Sequence, residues 1–352
     1  MIDRKSFHPP DTCQKGWEIM RVLVTSARPY EKTFLDCANQ NRHQIQYLES
    51  ALDQNTAPLA AGFPAVSCFV DDVLNATVLK TLAKGGTRLL ALRSTGFNHV
   101  DLDSAQKLHI TVMRVQDYSP YSVAEFSLGL MLMLNRHLHK AYNRVREENF
   151  LLDGLMGFDM HGKTVGIVGT GKIGFSVAKI LNGMGCSLLG HDLWENPQCL
   201  ALGMNYVDLD TLLSQSQITT LHLPLTPQTY HLINATTLQK MPDCAILINT
   251  SRGALIDTRA LIEALKAKRL GGAGLDVYEE ETGLYFKNFS DEIITDDLFS
   301  RLLTFPNVIV TGHQAFFTRE AMETIAATTI QNLSDFEIGK TNINIVGPIS
   351  PE

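Results

Sequence analysis

The sequence Gly169-Thr-Gly-Lys-Ile-Gly174 stands near the middle of this chain of 352 residues. The apolar run 164–168 before it predicts a buried strand, and the helical spacing of apolar residues over 173–184 predicts a helix after it. In such a turn the first glycine permits the tight bend, the second lets a pyrophosphate approach the backbone, and the third lets the helix pack closely. The free N–H groups of the helix then face the phosphates. The turn therefore predicts a dinucleotide site.

An acidic residue further along the chain narrows the choice of cofactor. Asp192 follows Gly174 by 18 residues, at the end of a second apolar run over residues 187–190. A carboxylate there accepts hydrogen bonds from the ribose hydroxyls of NAD and repels the additional phosphate of NADP. Asp192 could alternatively be a helix cap or a turn residue. A phosphate-binding loop of the ATPase kind is excluded, because Ile173 lacks the hydroxyl that holds Mg²⁺ in that motif.

The composition is that of a soluble globular protein with two domains of ordinary size. Hydrophobic residues make up 45% and charged residues 19% of the 352 residues. The net charge of −7, without any run rich in Lys or Arg, disfavours a nucleic acid or an anionic membrane as a partner. No cluster of Cys and His has the spacing of a zinc site, so no metal is predicted.

A cytoplasmic location is predicted from the cysteines and from the first residues. The six cysteines include no C-x-x-C pair and show no regular spacing, which disfavours disulfides and favours a reducing compartment. Residues 1–20 contain no apolar segment of the kind found in signal peptides and are predicted to be a loose extension. The uncharged apolar stretch 126–134 has about half the length that spans a bilayer.

Strand and helix patterns alternate in two series along the chain. The first series, over residues 21–115, has no glycine turn of the cofactor type. The second, over residues 164–310, begins with the glycine turn and contains six predicted strands. Between the two series a single long helix is predicted from residue 121 to about residue 148. A terminal helix is predicted over residues 318–339, ending at Gly339.

These patterns predict an α/β protein with two doubly wound parallel-sheet domains. A flavodoxin-like substrate domain, residues 1–118 and 316–352, is interrupted by a Rossmann NAD-binding domain, residues 119–315. We expect the terminal helix to return to the first domain and the active site to lie in the cleft between the two domains.

Three charged side chains follow strands of the second series and form the candidate catalytic set. Arg252, Glu281 and His313 come after the runs 245–249, 272–277 and 308–310. Ligands of open α/β sheets sit outside the carboxyl ends of the strands, so the three are expected at one rim. An arginine fork holds a carboxylate, a histidine carries a proton near neutral pH, and a carboxylate stabilises the protonated imidazole. Singly, each could be an ordinary loop residue.

The ordered motifs resemble the D-2-hydroxyacid dehydrogenase family over residues 21–339. Besides the glycine turn, the resemblance rests on Leu221-His-Leu-Pro-Leu-Thr-Pro227, Ile248-Asn-Thr-Ser-Arg-Gly253, Gly274-Leu-Asp-Val-Tyr278 and Thr311-Gly-His-Gln-Ala-Phe316. Within the family, the long stretch 282–312 and the sequence Gln314-Ala-Phe-Phe-Thr318 are most similar to the fermentative D-lactate dehydrogenases. The family pattern does not require the residues before Met20.

The resemblance implies a role for each matching residue. Arg252 would bind the carboxylate and carbonyl of the substrate, His313 would be the acid and base, and Glu281 would be its partner. The pocket would be formed by the backbone N–H groups of Thr95 and Gly96 and by the side chains of Phe69, Tyr118 and Phe316. NAD would be held by Gly169, Thr170, Gly171, Lys172, Ile173, Gly174 and Asp192, with His222 and Pro224 beside the adenosine and Asp276 at the nicotinamide end.

The expected activity is the reversible, NADH-dependent reduction of pyruvate to D-lactate. Another 2-oxo acid, such as hydroxypyruvate, glyoxylate or a branched acid, is the first alternative. The family also includes corepressor-like proteins that bind NAD(H) and recruit partners, and intact catalytic residues do not exclude such a role. The long helix from Tyr121 resembles the dimer-forming segment of the family, so a homodimer or a homotetramer is expected.

Overall fold

The computed structural model describes residues 19–347. Of the predicted extension over residues 1–20, only Ile19 and Met20 fall within the described range. Met20 is buried, and its carbonyl accepts the N–H of Gln44. The chain forms two compact units, one containing the described residues up to 116 and from 325 onward, the other being Asp117–Thr324. The predicted domain boundaries, 118/119 and 315/316, lie two and nine residues from these.

The first unit is built on a parallel sheet of short, apolar strands. Its strands are β1 (Arg21–Val24), β2 (Gln44–Tyr47), β3 (Ala65–Cys68), β4 (Leu89–Leu92) and β5 (Thr111–Met113). Its helices are α1 (Pro29–Asn39), α2 (Ala76–Lys84) and α3 (Leu102–Lys107), with a 3-10 turn at Ala57–Ala60. All residues of β3 and β4 are buried, as expected of strands covered on both faces.

The second unit contains the second sheet, all of whose strand pairs are parallel. Its strands are β6 (Thr164–Val168), β7 (Ser187–His191), β8 (Asn205–Tyr206), β9 (Ile218–Leu221), β10 (Ala245–Asn249), β11 (Leu270–Leu275) and β12 (Val308–Val310). Its helices are α4 (Pro120–Asn135), α5 (Leu138–Arg146), α6 (Lys172–Gly183), α7 (Pro197–Ala201), α8 (Leu209–Gln215), α9 (Ala235–Leu238), α10 (Thr258–Lys266) and α11 (Asp297–Leu303), with a 3-10 turn at Gly253–Leu255. The strand order is β8-β7-β6-β9-β10-β11-β12. This is the Rossmann order of six strands followed by one more.

The last segment completes the first unit. Helix α12 (Arg319–Glu337) runs across the boundary at residue 325, and the strand β13 (Ile345–Val346) pairs antiparallel with β5. Ile330 and Leu333 of α12 pack in the same core cluster as Val22 and Val24 of β1. The sheet order is β2-β1-β3-β4-β5-β13, so the first five strands have the flavodoxin-like order. The predicted fold class, two α/β domains, is confirmed, and the antiparallel edge strand is an addition to it.

The prediction of a single long helix from residue 121 to about residue 148 is wrong. Helix α4 ends at Asn135, α5 begins at Leu138, and His137 between them adopts a left-handed backbone with φ of +51°. The buried side chain of Asn135 accepts the N–H of Phe158 and donates to its carbonyl. These two hydrogen bonds hold the end of α4, and the chain turns there. Within residues 19–347 no helix combines the length and the apolar character needed to cross a membrane.

Candidate active site

The three glycines of the turn after β6 have three different surroundings. Gly169 has φ of +93°, and a Cβ added to it would lie 2.5 Å from the carbonyl oxygen of His222. A Cβ on Gly174 would lie 2.0 Å from the carbonyl oxygen of Gly169, so α6 packs directly on the turn. A Cβ on Gly171 would meet no atom within 4 Å. The middle glycine thus faces open space at the start of α6, as an approaching pyrophosphate requires.

Asp192 directly follows β7 and is bonded to this turn. Its Oδ2 accepts the N–H of Thr170 at 2.6 Å and the Thr170 hydroxyl at 3.1 Å, while Oδ1 accepts the N–H of Leu193. The alternative that Asp192 caps a helix is wrong, because the next helix, α7, is capped by Asn196. A carboxylate held at this position fits the ribose of NAD and opposes the additional phosphate of NADP.

Two further turn residues begin α6. Lys172 is its first residue, and its ammonium group forms an ion pair with the carboxylate of Asp117. The Lys172 side chain is largely exposed, and Ile173 is half-buried. Both stand in the first turn of the helix, where the macrodipole favours an anion.

His222 follows β9, and the carbonyl of the same residue faces Gly169. Its Nε2 lies 2.9 Å from the hydroxyl of Thr220, and burial lowers the pKa of the imidazole to about 3. The imidazole is therefore neutral at physiological pH. Among the described residues its buried Nδ1 has no hydrogen-bond partner, and Pro224, two residues later, is exposed. The loop that carries this unsatisfied atom borders the glycine turn through the backbone carbonyl of His222, as a loop beside a dinucleotide would.

His313 and Glu281 form a hydrogen-bonded pair. Nδ1 of His313 lies 3.0 Å from Oε1 of Glu281, and the side chains are 20% and 26% exposed. The other carboxylate oxygen of Glu281 accepts the N–H of Tyr278 at 3.2 Å. With Nδ1 donating its proton to Glu281, Nε2 is the imidazole nitrogen that can exchange a proton with a substrate.

The loop that carries His313 is fixed by Asp276. One carboxylate oxygen of this buried residue accepts the hydroxyl of Thr311 at 2.5 Å and the N–H of Gln314 at 2.9 Å, and the other accepts the N–H of Ala315 at 2.8 Å. The Asp276 carbonyl accepts the N–H of His313, whose backbone is left-handed with φ of +52°. The observed partners of Asp276 belong to this loop, and its contact with the nicotinamide end of NAD stays a prediction.

Arg252 lies beyond the end of β10 and interacts electrostatically with Tyr118. Its guanidinium donates to the carbonyl of Ser251 at 2.6 Å, and its own carbonyl accepts the side-chain amide of Asn249. Burial raises the pKa of the Tyr118 phenol, and the charge of Arg252 opposes that rise. The ring of Tyr118 meets the ring of Phe316 edge-on, with centroids 6.3 Å apart. The structure therefore brings together two of the predicted site residues, Tyr118 and Phe316, and the charge of Arg252 acts on the first of them.

The remaining predicted pocket residues belong to the first unit. Phe69 follows β3, is buried, and donates its N–H to the carboxylate of Asp72. Thr95 and Gly96 follow β4, and their carbonyls accept hydrogen bonds from Arg114 and Ser94 respectively. All three stand past the carboxyl ends of neighbouring strands of that sheet. Their contact with a substrate stays a prediction.

Sequence reasoning missed a second histidine–carboxylate pair, His231 with Glu279. In the sequence, His231 is one loop histidine among several, and Glu279 is the first of three consecutive glutamates. No spacing signal connects them, because the contact depends on how two loops fold together. In the part of the chain that the structure describes, no group of three or more His, Cys, Asp or Glu side chains is placed to hold a metal ion.

The two doubly wound sheets, the glycine turn with Asp192, and the histidine–carboxylate pair define an α/β dehydrogenase that uses a dinucleotide. Residues 128–315 match the model of the "D-isomer specific 2-hydroxyacid dehydrogenase, NAD binding domain" family. The chain is 50% identical over 319 residues to 2-hydroxyacid dehydrogenase homolog 1 of Schizosaccharomyces pombe, covering 90% of this chain and 96% of the relative. It is 47% identical over 323 residues to D-lactate dehydrogenase of Escherichia coli, covering 92% and 98%.

Solved structures of similar fold belong to proteins of the same kind as these relatives. The apo-structure of the Escherichia coli D-lactate dehydrogenase superposes with a TM-score of 0.85 at 45% identity, covering 93% of this chain and all of that one. The pyruvate reductase of Chlamydomonas reinhardtii gives a TM-score of 0.88 at 44% identity, covering 93% and 98%. The chain belongs to the D-isomer specific 2-hydroxyacid dehydrogenase family and is an NAD-dependent oxidoreductase. The predicted family, class of enzyme and cofactor are confirmed.

The glycine geometry predicts that Gly174→Ala impairs cofactor binding. Because the added Cβ would lie 2.0 Å from the backbone oxygen of Gly169, α6 must move away from the turn. We expect NADH affinity, measured by fluorescence titration, to fall at least about tenfold. Gly183→Ala, in the same helix with no atom within 4 Å of the added Cβ, is the matched control and should leave affinity unchanged. Equal affinities for the two variants would contradict the packing role of Gly174.

Proposed function

We propose that this enzyme reduces pyruvate to D-lactate with NADH, reversibly. The observation that carries the proposal is the imidazole of His313, which Glu281 orients through Nδ1 and which thereby presents Nε2 as a proton donor. The guanidinium of Arg252, which follows the neighbouring strand β10, supplies the cation that a 2-oxo acid needs in this proposal. The names of the relatives, D-lactate dehydrogenase and pyruvate reductase, support pyruvate over other 2-oxo acids.

Each residue of the site has a separate role in the proposed reaction. Bound NADH supplies a hydride to the carbonyl carbon of the substrate. His313 donates the proton that the carbonyl oxygen takes up, so that the 2-oxo acid becomes a 2-hydroxy acid. The carboxylate of Glu281 stabilises the imidazolium before transfer, and Arg252 holds the substrate carboxylate through its planar fork. In the reverse direction His313 accepts the hydroxyl proton.

The pocket residues set the size of the substrate in this proposal. Tyr118 and Phe316, whose rings meet edge-on, are the side chains that we assign to contact the small side chain of the substrate, the methyl group in pyruvate. Substrates with larger side chains would then react less well, because overpacking an apolar pocket is costly.

The substrate is tested by following NADH oxidation with a panel of 2-oxo acids and by chiral analysis of the product. Pyruvate should give the highest kcat/KM, and the product should be D-lactate. A higher kcat/KM with hydroxypyruvate, glyoxylate or a branched 2-oxo acid would move the assignment to that acid. Absence of turnover with all of them would overturn the proposal and favour a corepressor-like protein that senses NAD(H).

Arg252→Lys is expected to weaken pyruvate binding. A lysine cannot form the bidentate contact with a carboxylate, and a hydrogen bond to a charged group contributes about 1.5–3 kcal/mol. The KM for pyruvate should therefore rise about 10- to 100-fold. Arg259→Lys, an exposed arginine in α10, is the control and should leave the KM unchanged. The same KM in both variants would place the carboxylate site elsewhere.

We propose further that the enzyme is a homodimer, or a homotetramer built from that dimer. The second unit carries an apolar groove of about 750 Å³, lined among others by Phe126, Leu130, Met133, Leu138 and Phe317. The same unit exposes an apolar segment after α5, in which Leu152 is 81% exposed and Met156 is 90% exposed. In a dimer with two-fold symmetry, the groove and the exposed segment of each copy are both covered by the other copy.

Light scattering after size exclusion tests the proposed self-association. Leu152→Asp should shift the wild-type oligomer toward the monomer, because a charge would be buried in the interface. Ile293→Asp replaces an apolar residue that is 86% exposed outside this segment, and it should leave the oligomer intact. A wild-type protein that is monomeric at all concentrations would contradict the interface.

A cytoplasmic location stays a proposal based on the cysteines. Cys37, Cys68, Cys186, Cys199 and Cys244 are all free thiols in the structure. Free thiols are typical of a reducing compartment. Cell fractionation with antibody detection would test the location.

A further inference from the structure

The carboxylate of the second histidine–carboxylate pair, Glu279, lies two residues before Glu281 along the chain. Nε2 of His231 is 2.5 Å from Oε1 of Glu279, and the two side chains are only 27% and 16% exposed. The ring of Tyr230 stacks on the imidazole with centroids 3.9 Å apart. His231 also has a left-handed backbone, with φ of +51°. Such a conformation persists in a non-glycine residue only where the surroundings hold it.

Glu279 connects three segments of the second unit. While Oε1 contacts His231 in the loop after β9, Oε2 accepts the N–H of Thr258 at 3.1 Å, at the start of α10. The backbone of Glu279 itself belongs to the stretch between Tyr278 and Glu281. The side chain therefore ties the loop that contains Glu281 to the segments that follow β9 and β10.

The same two residues also contact the segment that carries Arg252. The N–H of His231 donates to the carbonyl of Ala254 at 2.9 Å. A Cβ on Gly253 would lie 2.0 Å from the carbonyl carbon of Tyr278 and 2.3 Å from the nitrogen of Glu279. The backbones on either side of this contact touch directly, so a displacement of one is transmitted to the other.

We propose that His231 and Glu279 are a positioning pair for the 2-oxo acid site. They set the place of Glu281, and through it His313, relative to Arg252, without contacting the substrate themselves. This inference rests on the proposed function, since it concerns the same reaction. If the pair only held its loop, its removal would lower stability and leave the kinetics unchanged. A displaced catalytic constellation instead lowers turnover, because a misplacement of about 1 Å can cost about 10²-fold.

The kinetic test compares His231→Ala, Glu279→Ala and His231→Gln. In the two alanine variants we expect the KM for pyruvate to rise about tenfold and kcat to fall about tenfold, with the Kd for NADH within about twofold of wild type. The glutamine variant should recover most of both losses, because its amide can donate a hydrogen bond to Glu279. The double alanine variant should be no worse than either single one, since both remove the same contact.

A readout without turnover uses the Nδ1 proton of His313 in the free enzyme. Its NMR resonance, assigned by its loss in His313→Ala, reports the hydrogen bond to Glu281. We expect this resonance to shift upfield or disappear in His231→Ala and to return in His231→Gln. His43→Ala is the matched control, because it removes another buried histidine near a glutamate, Glu337 at 3.7 Å, in the other unit. It should change neither the resonance nor kcat and KM.

The outcomes separate this inference from the proposed function. Unchanged kcat, KM and His313 resonance in His231→Ala, with only a lower melting temperature, would overturn the positioning role. Absence of wild-type turnover with every 2-oxo acid would overturn the proposed function. In that case the resonance of His313 still decides whether the pair positions Glu281. Loss of NADH binding in the alanine variants would place the pair in the cofactor site instead and would also overturn the inference.

Discussion

The geometry of the site depends on the hydrogen bonds that the buried carboxylate of Asp276 accepts. A buried charge without partners is very costly, and this one is satisfied by the hydroxyl of Thr311 and by two backbone N–H groups of the loop that follows. Hydrogen bonds to a charged acceptor contribute about 1.5–3 kcal/mol each. They hold the left-handed backbone of His313, so that its imidazole meets Glu281.

The parallel sheet determines which residues can share this site. Strands β9, β10, β11 and β12 are neighbours in that order, and the residues that follow them stand at one edge. His222, Arg252, Asp276 and His313 come after these four strands in turn. The glycine turn follows β6, which pairs in parallel with β9, so the turn stands at the same edge. The glycine turn and the proposed proton donor therefore arise from one strand arrangement, whereas the precise orientation of each side chain depends on its loop.

Much of this architecture follows from patterns that are visible in the sequence. The apolar strand runs, the glycine turn and the acid at Asp192 are local signals, and they predicted the α/β class and the cofactor. The two-residue strands Asn205–Tyr206 and Ile345–Val346 were missed, because so short a run has no period. The break at His137 was missed because it depends on hydrogen bonds of Asn135 with a distant segment. The contact of His231 with Glu279 likewise depends on the tertiary structure, and no sequence spacing predicts it.

In the proposed reaction His313, held by Glu281 and by the loop of Asp276, exchanges the proton with the substrate. The most direct measurement compares kcat of His313→Ala and of the wild-type enzyme with pyruvate, together with the Kd for NADH. We expect a fall in kcat of about 10²–10⁴-fold with nearly unchanged NADH binding, because a general acid acts in the transition state. Near-normal turnover in His313→Ala would contradict it and assign the proton to another group.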